Sequence, residues 1–232
     1  MDLSLQSAFL AEMSTLLILL AGAVLLYSSF RERYLVPWIA GWSVFTLYKV
    51  LLALSAAHSR VALWTVLANA SYVLAVGLFA TAVFFYVSQR KLVWPSVLVL
   101  CVALPLEIAH SLWRPYPALH YLAFALCWLI SATAAGQLIR FAWGRVSFGR
   151  WLLAGSLVLL HLDTAGSVHQ RVETDLVVDL LLGISLMTIV LEDSRIQVQR
   201  LDALNTITHQ ISDSREFEPT VDTILEELRK IT

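Results

Sequence analysis

Long apolar runs, broken at short intervals by clusters of charge, proline and glycine, dominate the chain from Ser7 to Val190. A membrane-crossing helix needs about 20 predominantly apolar residues. Cutting the sequence at those clusters gives seven such segments: Ser7 to Phe30, Leu35 to Ala57, Val61 to Ser88, Leu92 to Leu112, Tyr121 to Trp143, Trp151 to Val168 and Leu176 to Val190. The connections are short, as in His58-Ser59-Arg60 and Gln89-Arg90-Lys91. Consecutive helices are therefore expected as antiparallel neighbours.

After Val190 the apolar run gives way to Glu192-Asp193-Ser194-Arg195-Ile196-Gln197-Val198-Gln199-Arg200-Leu201, which contains neither glycine nor proline. The last helix is expected to continue out of the membrane. Heptad spacing puts Val190, Ser194, Gln197, Leu201, Leu204, Thr208 and Ile211 on one seam, partly apolar. Two outcomes suit it: a marginal parallel homodimer, or a single amphipathic helix packed on another domain. Ser212-Asp213-Ser214-Arg215 interrupts the pattern, and a second helix is predicted from Glu218 to Ile231 with Pro219 in its first turn. The predicted fold is all-α, with a seven-transmembrane-helix bundle over residues 1–190, a cytoplasmic signalling helix over 191–212 and a short third part over 213–232.

Composition supports the division. Of 232 residues, 59% are hydrophobic and 14% charged, against roughly a quarter charged in ordinary soluble domains. The bilayer is thus the first expected partner. A net charge of −1 without a basic patch gives no footing for nucleic acid. Cys101 and Cys127 fall inside apolar runs, where a small thiol packs well, and no disulfide framework is indicated. The amino end, opening with Asp2, lacks the basic region of a cleaved signal, so the first apolar run is expected to stay as a spanning helix.

Arginine and lysine set the orientation, because basic loops remain in the cytoplasm. One side carries Arg31, Arg33, Arg90, Lys91, Arg140, Arg145 and Arg150; the other carries Arg60, Arg114 and Arg171. The amino end is therefore expected outside and the tail inside. Trp38, Trp94, Trp143 and Trp151 fall at inner helix ends and Trp64 and Trp113 at outer ones, as an interfacial belt would place them.

Ionisable groups inside the spans carry the candidate chemistry, since a charge in hydrocarbon is costly and usually faces a bundle interior, a cavity or a partner. These are Glu12, Lys49, Glu107, His110, His161, Asp163 and Asp179, all in the middle or outer half; Trp42 and Trp128 lie deeper than the other tryptophans. Glu107 and His110 are three apart and share a helix face, a spacing that suits metal ligands. His161 and Asp163 are two apart and diverge by roughly 200°, so at most one of them joins that pair. Asp179 shares a face with Asp175 and can complete a site from the last helix. Those nine residues are the candidate binding set for an unidentified small ligand. The competing structural role is a buried bridge, with Lys49 pairing Glu107, Asp163 or Asp179, or solvation of the outer groups among lipid headgroups. No catalytic residue and no metal is assigned, and the cofactor is unknown.

Familiar seven-helix classes fit poorly. A retinal protein needs a lysine in its last helix, and Leu176 to Val190 has none; a membrane hydrolase usually holds a histidine pair on a late helix, absent from the seventh. A transporter more often has paired broken helices in its two halves, whereas Pro95 and Pro105 interrupt the fourth alone. A small-solute transporter or channel with a regulatory tail is the rival reading.

The stretch Leu201-Asp202-Ala203-Leu204-Asn205-Thr206-Ile207-Thr208-His209-Gln210-Ile211-Ser212, followed by Phe217-Glu218-Pro219 and Thr223-Ile224-Leu225-Glu226-Glu227-Leu228, resembles the opening helices of a GAF domain. The membrane part resembles the seven-helix sensor regions of bacterial membrane histidine kinases and related receptors, including Trp38-Ile39-Ala40-Gly41-Trp42 after a basic loop. The resemblance implies that the intact protein continues through a GAF domain into an output, most often a histidine kinase, and that it resides in the bacterial inner membrane. His209 lacks the acidic neighbour and downstream proline of a phosphorylated histidine, and no nucleotide-binding motif occurs, so this chain is not expected to be an enzyme. The expected function is a transmembrane signal-sensing module, dimeric through its cytoplasmic helix.

Overall fold

The computed structural model describes residues 3–57, 61–88, 94–112, 117–143, 147–160 and 168–213, together with Glu226 and Arg229. Near several helix ends (3–8, 56–57, 61–62, 94–95, 111–112, 117, 168–175 and 210–213) the backbone alone is described. The described residues are helical with no strand: α1 (Leu3–Phe30), α2 (Leu35–Ala57), α3 (Val61–Ser88), α4 (Trp94–Leu112), α5 (Pro117–Ala142), α6 (Phe148–Leu159) and α7 (Val168–Asp213). In hydrocarbon each backbone amide must be satisfied within its own segment, which leaves the helix as the form open to such apolar runs.

Among the described residues, four helices are long and apolar enough to cross a membrane, over Phe9–Phe30, Leu35–Ser55, Leu63–Ser88 and Ala118–Ala142; the apolar stretches Ser96–His110 and Phe148–Leu159 are shorter. Ile18, Leu25 and Leu129 are each more than half exposed. Such a surface is unfavourable in water and suits lipid. The chain is accordingly a membrane protein by its helices.

The chain divides into two compact units, Met1–Met187 and Thr188–Thr232. In the first, α2 packs on α1 and α3, α3 on α4 and α5, and α5 on α4 and α6. Its core includes Leu16, Trp38, Trp42, Phe79, Phe84, Leu138, Leu157 and Leu182, each less than 2% exposed. Phe79 is the hub of an aromatic cluster, its ring centre 5.1 Å from Trp38, 5.2 Å from Trp42 and 6.3 Å from Phe45. Glycines permit close approach at two contacts. A Cβ on Gly77 of α3 would overlap the branched end of Leu100 on α4, and one on Gly183 of α7 would overlap Leu19 on α1.

The turn from α1 to α2 is tight. Arg31 adopts φ 51°, and its amide donates to the Tyr27 carbonyl at 2.8 Å. This is the left-handed conformation that ends many helices, usually at glycine.

In the second unit the later part of α7 is exposed at Val198, Leu201 and Leu204, and Ile207 is buried. Of the expected seam, Gln197, Leu201, Leu204 and Thr208 are exposed, whereas Val190, at the start of this unit, is 2% exposed. His209 is exposed on the helix, as expected. The second tail helix lies outside the described residues, apart from Glu226 and Arg229, both helical.

Several boundaries differ from the sequence reading. Helix α5 starts at Pro117 rather than Tyr121, because proline lacks the amide that a first turn leaves unbonded anyway and its φ is already helical. Helix α7 starts at Val168 rather than Leu176 and, as expected, continues unbroken past Val190, running 46 residues in all. Helix α6 begins three residues earlier than expected, at Phe148. The remainder of the sixth predicted span, residues 161–167, lies outside the described residues.

Candidate functional site

Three helices bring polar side chains together on Glu107. This residue lies five positions before the end of α4, beyond Pro105, and is 2% exposed. Asn69 of α3 donates its amide to Glu107 Oε1 at 2.7 Å. His120, in the first turn of α5, places Nδ1 3.1 Å from Oε1 and 3.0 Å from Oε2. An ionised carboxylate only accepts hydrogen bonds, so with Glu107 charged the His120 proton must sit on Nδ1. His110, one turn after Glu107 on α4, stacks on His120 with ring centres 5.2 Å apart at 33°. The buried thiol of Cys127 lies within electrostatic reach of the same carboxylate.

The shared face expected for Glu107 and His110 is thus the face turned to α5. His120, which the sequence places in a loop, joins them because α5 starts early. Asn69 left no signal in the sequence beyond being an amide in an otherwise apolar helix.

A second polar site joins α1 and α2. Lys49 Nζ lies 2.6 Å from Glu12 Oε1, both side chains 5% exposed. The ammonium also lies over the rings of Phe45 and Tyr48, at 5.4 and 5.7 Å. Lys49, expected to bridge Glu107, Asp163 or Asp179, thus has Glu12 as an ion-pair partner. Glu12 and Lys49 lie on helices adjacent in sequence and in space, whereas Glu107 is already engaged by α3 and α5.

Asp179 is buried on α7, 1% exposed, near the buried Leu182 and Ser185 on the same helix. Trp42 is fully buried against Phe79 and Phe45. Trp128 is 44% exposed on α5. His161 and Asp163 lie outside the described residues, and Asp175 is described by its backbone alone. The nine candidates thus include a Glu107/His110 site, a Glu12/Lys49 pair, Asp179 buried on α7, Trp42 in the aromatic hub and a surface tryptophan, with two outside the described residues.

One buried charge was not anticipated. Arg150, counted among the basic loop residues, is the third residue of α6 and only 4% exposed. Its Nε donates to the Tyr86 hydroxyl at 2.7 Å, and its guanidinium lies 4.9 Å from the Phe141 ring centre and 5.6 Å from that of Tyr86. Tyr34 packs edge-on against Tyr86 at 5.1 Å. This knot ties the start of α6 to the ends of α3 and α5.

Among the described residues no group of three His, Cys, Asp or Glu side chains is arranged to hold a metal ion. The chemistry supported at Glu107 is hydrogen bonding and proton exchange between a buried carboxylate and a half-exposed imidazole. No family model, curated protein or solved structure matches the chain.

Proposed function

We propose that this chain is a transmembrane signal-sensing module of a bacterial inner membrane, crossing seven times, with its amino end outside and its tail in the cytoplasm. A signal received in the outer half of the helices passes along α7 to a paired cytoplasmic helix and on to an output domain, a histidine kinase by resemblance. The observation that carries this reading is α7 itself. Its 46 residues, about 69 Å at 1.5 Å per residue, include buried positions such as Asp179 and Leu182 and, further along, exposed ones such as Leu201 and Leu204. After Gly183 the helix has neither glycine nor proline to interrupt it.

A helix can carry a signal only if its surroundings have two packings of similar energy that the signal biases. Buried polar groups on α1, α2, α4 and α7 supply contacts that such a signal can alter. Disulfide crosslinking of Leu201→Cys in native membranes tests the reading. Efficient dimer formation, together with a reporter fused after Thr232 that is active in the cytoplasm, supports it. A tail that stays monomeric, or a reporter active only outside, rejects it.

A further inference from the structure

The apolar surface of α7 follows a seven-residue count. In the first unit Val178, Leu182 and Leu186 are buried, whereas Val177, Leu180 and Ile184 are exposed. Counted in heptads from Val177, those exposed three fall at positions a, d and a. In the second unit the same count gives Leu191, Val198 and Asn205 at a, and Ser194, Leu201 and Thr208 at d. Leu191, Val198 and Leu201 are 62%, 63% and 63% exposed. Of the other large apolar side chains exposed there, Leu204 flanks this seam and Ile196 lies off it. Val190, expected on the seam, is buried. The seam therefore moves on by one residue, and Leu191, Val198 and Asn205 take the places expected for Val190, Gln197 and Leu204.

Contact with lipid does not call for such a count. A straight helix drifts about 20° per heptad against a seven-residue repeat, about 80° over the four heptads from Val177 to Asn205, so a stripe held to that count suits a helix supercoiled on a second helix. Past Leu191 the chain turns polar, and there exposed valine and leucine need cover from water. Residue types at the seam select the partner. Val177, Ile184 and Val198 are β-branched at a, and Leu180 and Leu201 are leucines at d, the combination that favours two parallel strands. Asn205 is a single polar a residue, a device that fixes register at some cost in stability. The flanking pairs of a parallel dimer in this frame are Gln197 with Asp202 and Leu204 with His209, which set no like charges together. A bilayer also gives every copy of α7 the same direction, as a parallel pair requires.

We propose that α7 pairs with α7 of a second copy of this chain along one seam from Val177 to Thr208, inside the bilayer as well as beyond it. The seam rests on the sensing function above and deepens it. The partner within the membrane is the same helix, so a turn or shift of α7 repacks the pair along the whole seam.

The test uses the full chain in native membranes, with Cys101→Ala and Cys127→Ala, single cysteines placed along α7, and iodine as an oxidant that enters the bilayer. Leu129→Cys, at a position exposed on α5, reports chance collisions. Ile184→Cys should give several-fold more dimer than Leu129→Cys, and Val198→Cys several-fold more than Gln197→Cys, although Gln197 is exposed too. Should Ile184→Cys fail to insert, Val177→Cys takes its place with the same expectation. A yield at Ile184 no higher than at Leu129 means that lipid covers the stripe, and overturns the seam. Equal yields at Val198 and Gln197, or a higher one at Gln197, overturn its frame. Either result can accompany full crosslinking at Leu201, which lies on both the expected and the observed seam and tests the sensing function, so the two readings fail separately.

Discussion

Removing one member of the Glu12–Lys49 pair should destabilise the protein strongly, whereas removing both should not. The 2.6 Å separation gives an attraction of about 6 kcal/mol at an effective dielectric constant of about 20. Against it stands a desolvation cost of several kcal/mol for each ion, nearly complete here because each side chain is only 5% exposed. The two terms nearly cancel in the intact pair, but a single deletion loses the attraction and keeps one ion's cost. Lys49→Met, which leaves the Glu12 carboxylate without this cation, should therefore cost about 3–5 kcal/mol. Glu12→Leu should fall at the lower end, because Phe45 and Tyr48 still face the ammonium and cation–π contacts contribute about 0.5–2 kcal/mol. The double variant should return close to the parent stability, since apolar side chains of similar volume replace a buried ion pair at little net cost. Unfolding free energies of the four chains in bicelles, taken as a double-mutant cycle, measure this. Additive losses in the double variant, or single losses below about 1 kcal/mol, would refute the reasoning.

Two further outcomes follow from the packing. Arg150→Lys should destabilise by about 1–3 kcal/mol, because a lysine can neither donate from Nε to the Tyr86 hydroxyl nor lay a planar group on Phe141; bicelle unfolding would show it, and a lysine variant as stable as the parent would mean the guanidinium geometry is not used. Gly77→Ala should cost about 1–3 kcal/mol, since the new methyl group meets the branched end of Leu100. Adding Leu100→Ala should recover part of that loss, and a double variant worse than either single one would place the clash elsewhere.

What the amino-acid sequence settled by itself is the helical class and the ends of α2 and α3, read from Leu35 to Ala57 and Val61 to Ser88. Apolar runs bounded by charge leave the backbone little choice once water is excluded, so local composition is enough. It also marked Glu12, Lys49, Glu107, His110 and Asp179 as costly residues needing company. Which company they keep was decided only in three dimensions. An ion pair or hydrogen bond depends on how two helices rotate and approach, and that is set by distant packing such as Leu19 over Gly183 and Leu100 over Gly77. Hence Lys49 reaches Glu12, not Glu107, and Glu107 is held by Asn69 and His120, 38 and 13 residues away along the chain. Arg150 shows the same limit from the other side: beside a loop it looks solvated, and only the convergence of Tyr86 and Phe141 from two other helices buries it.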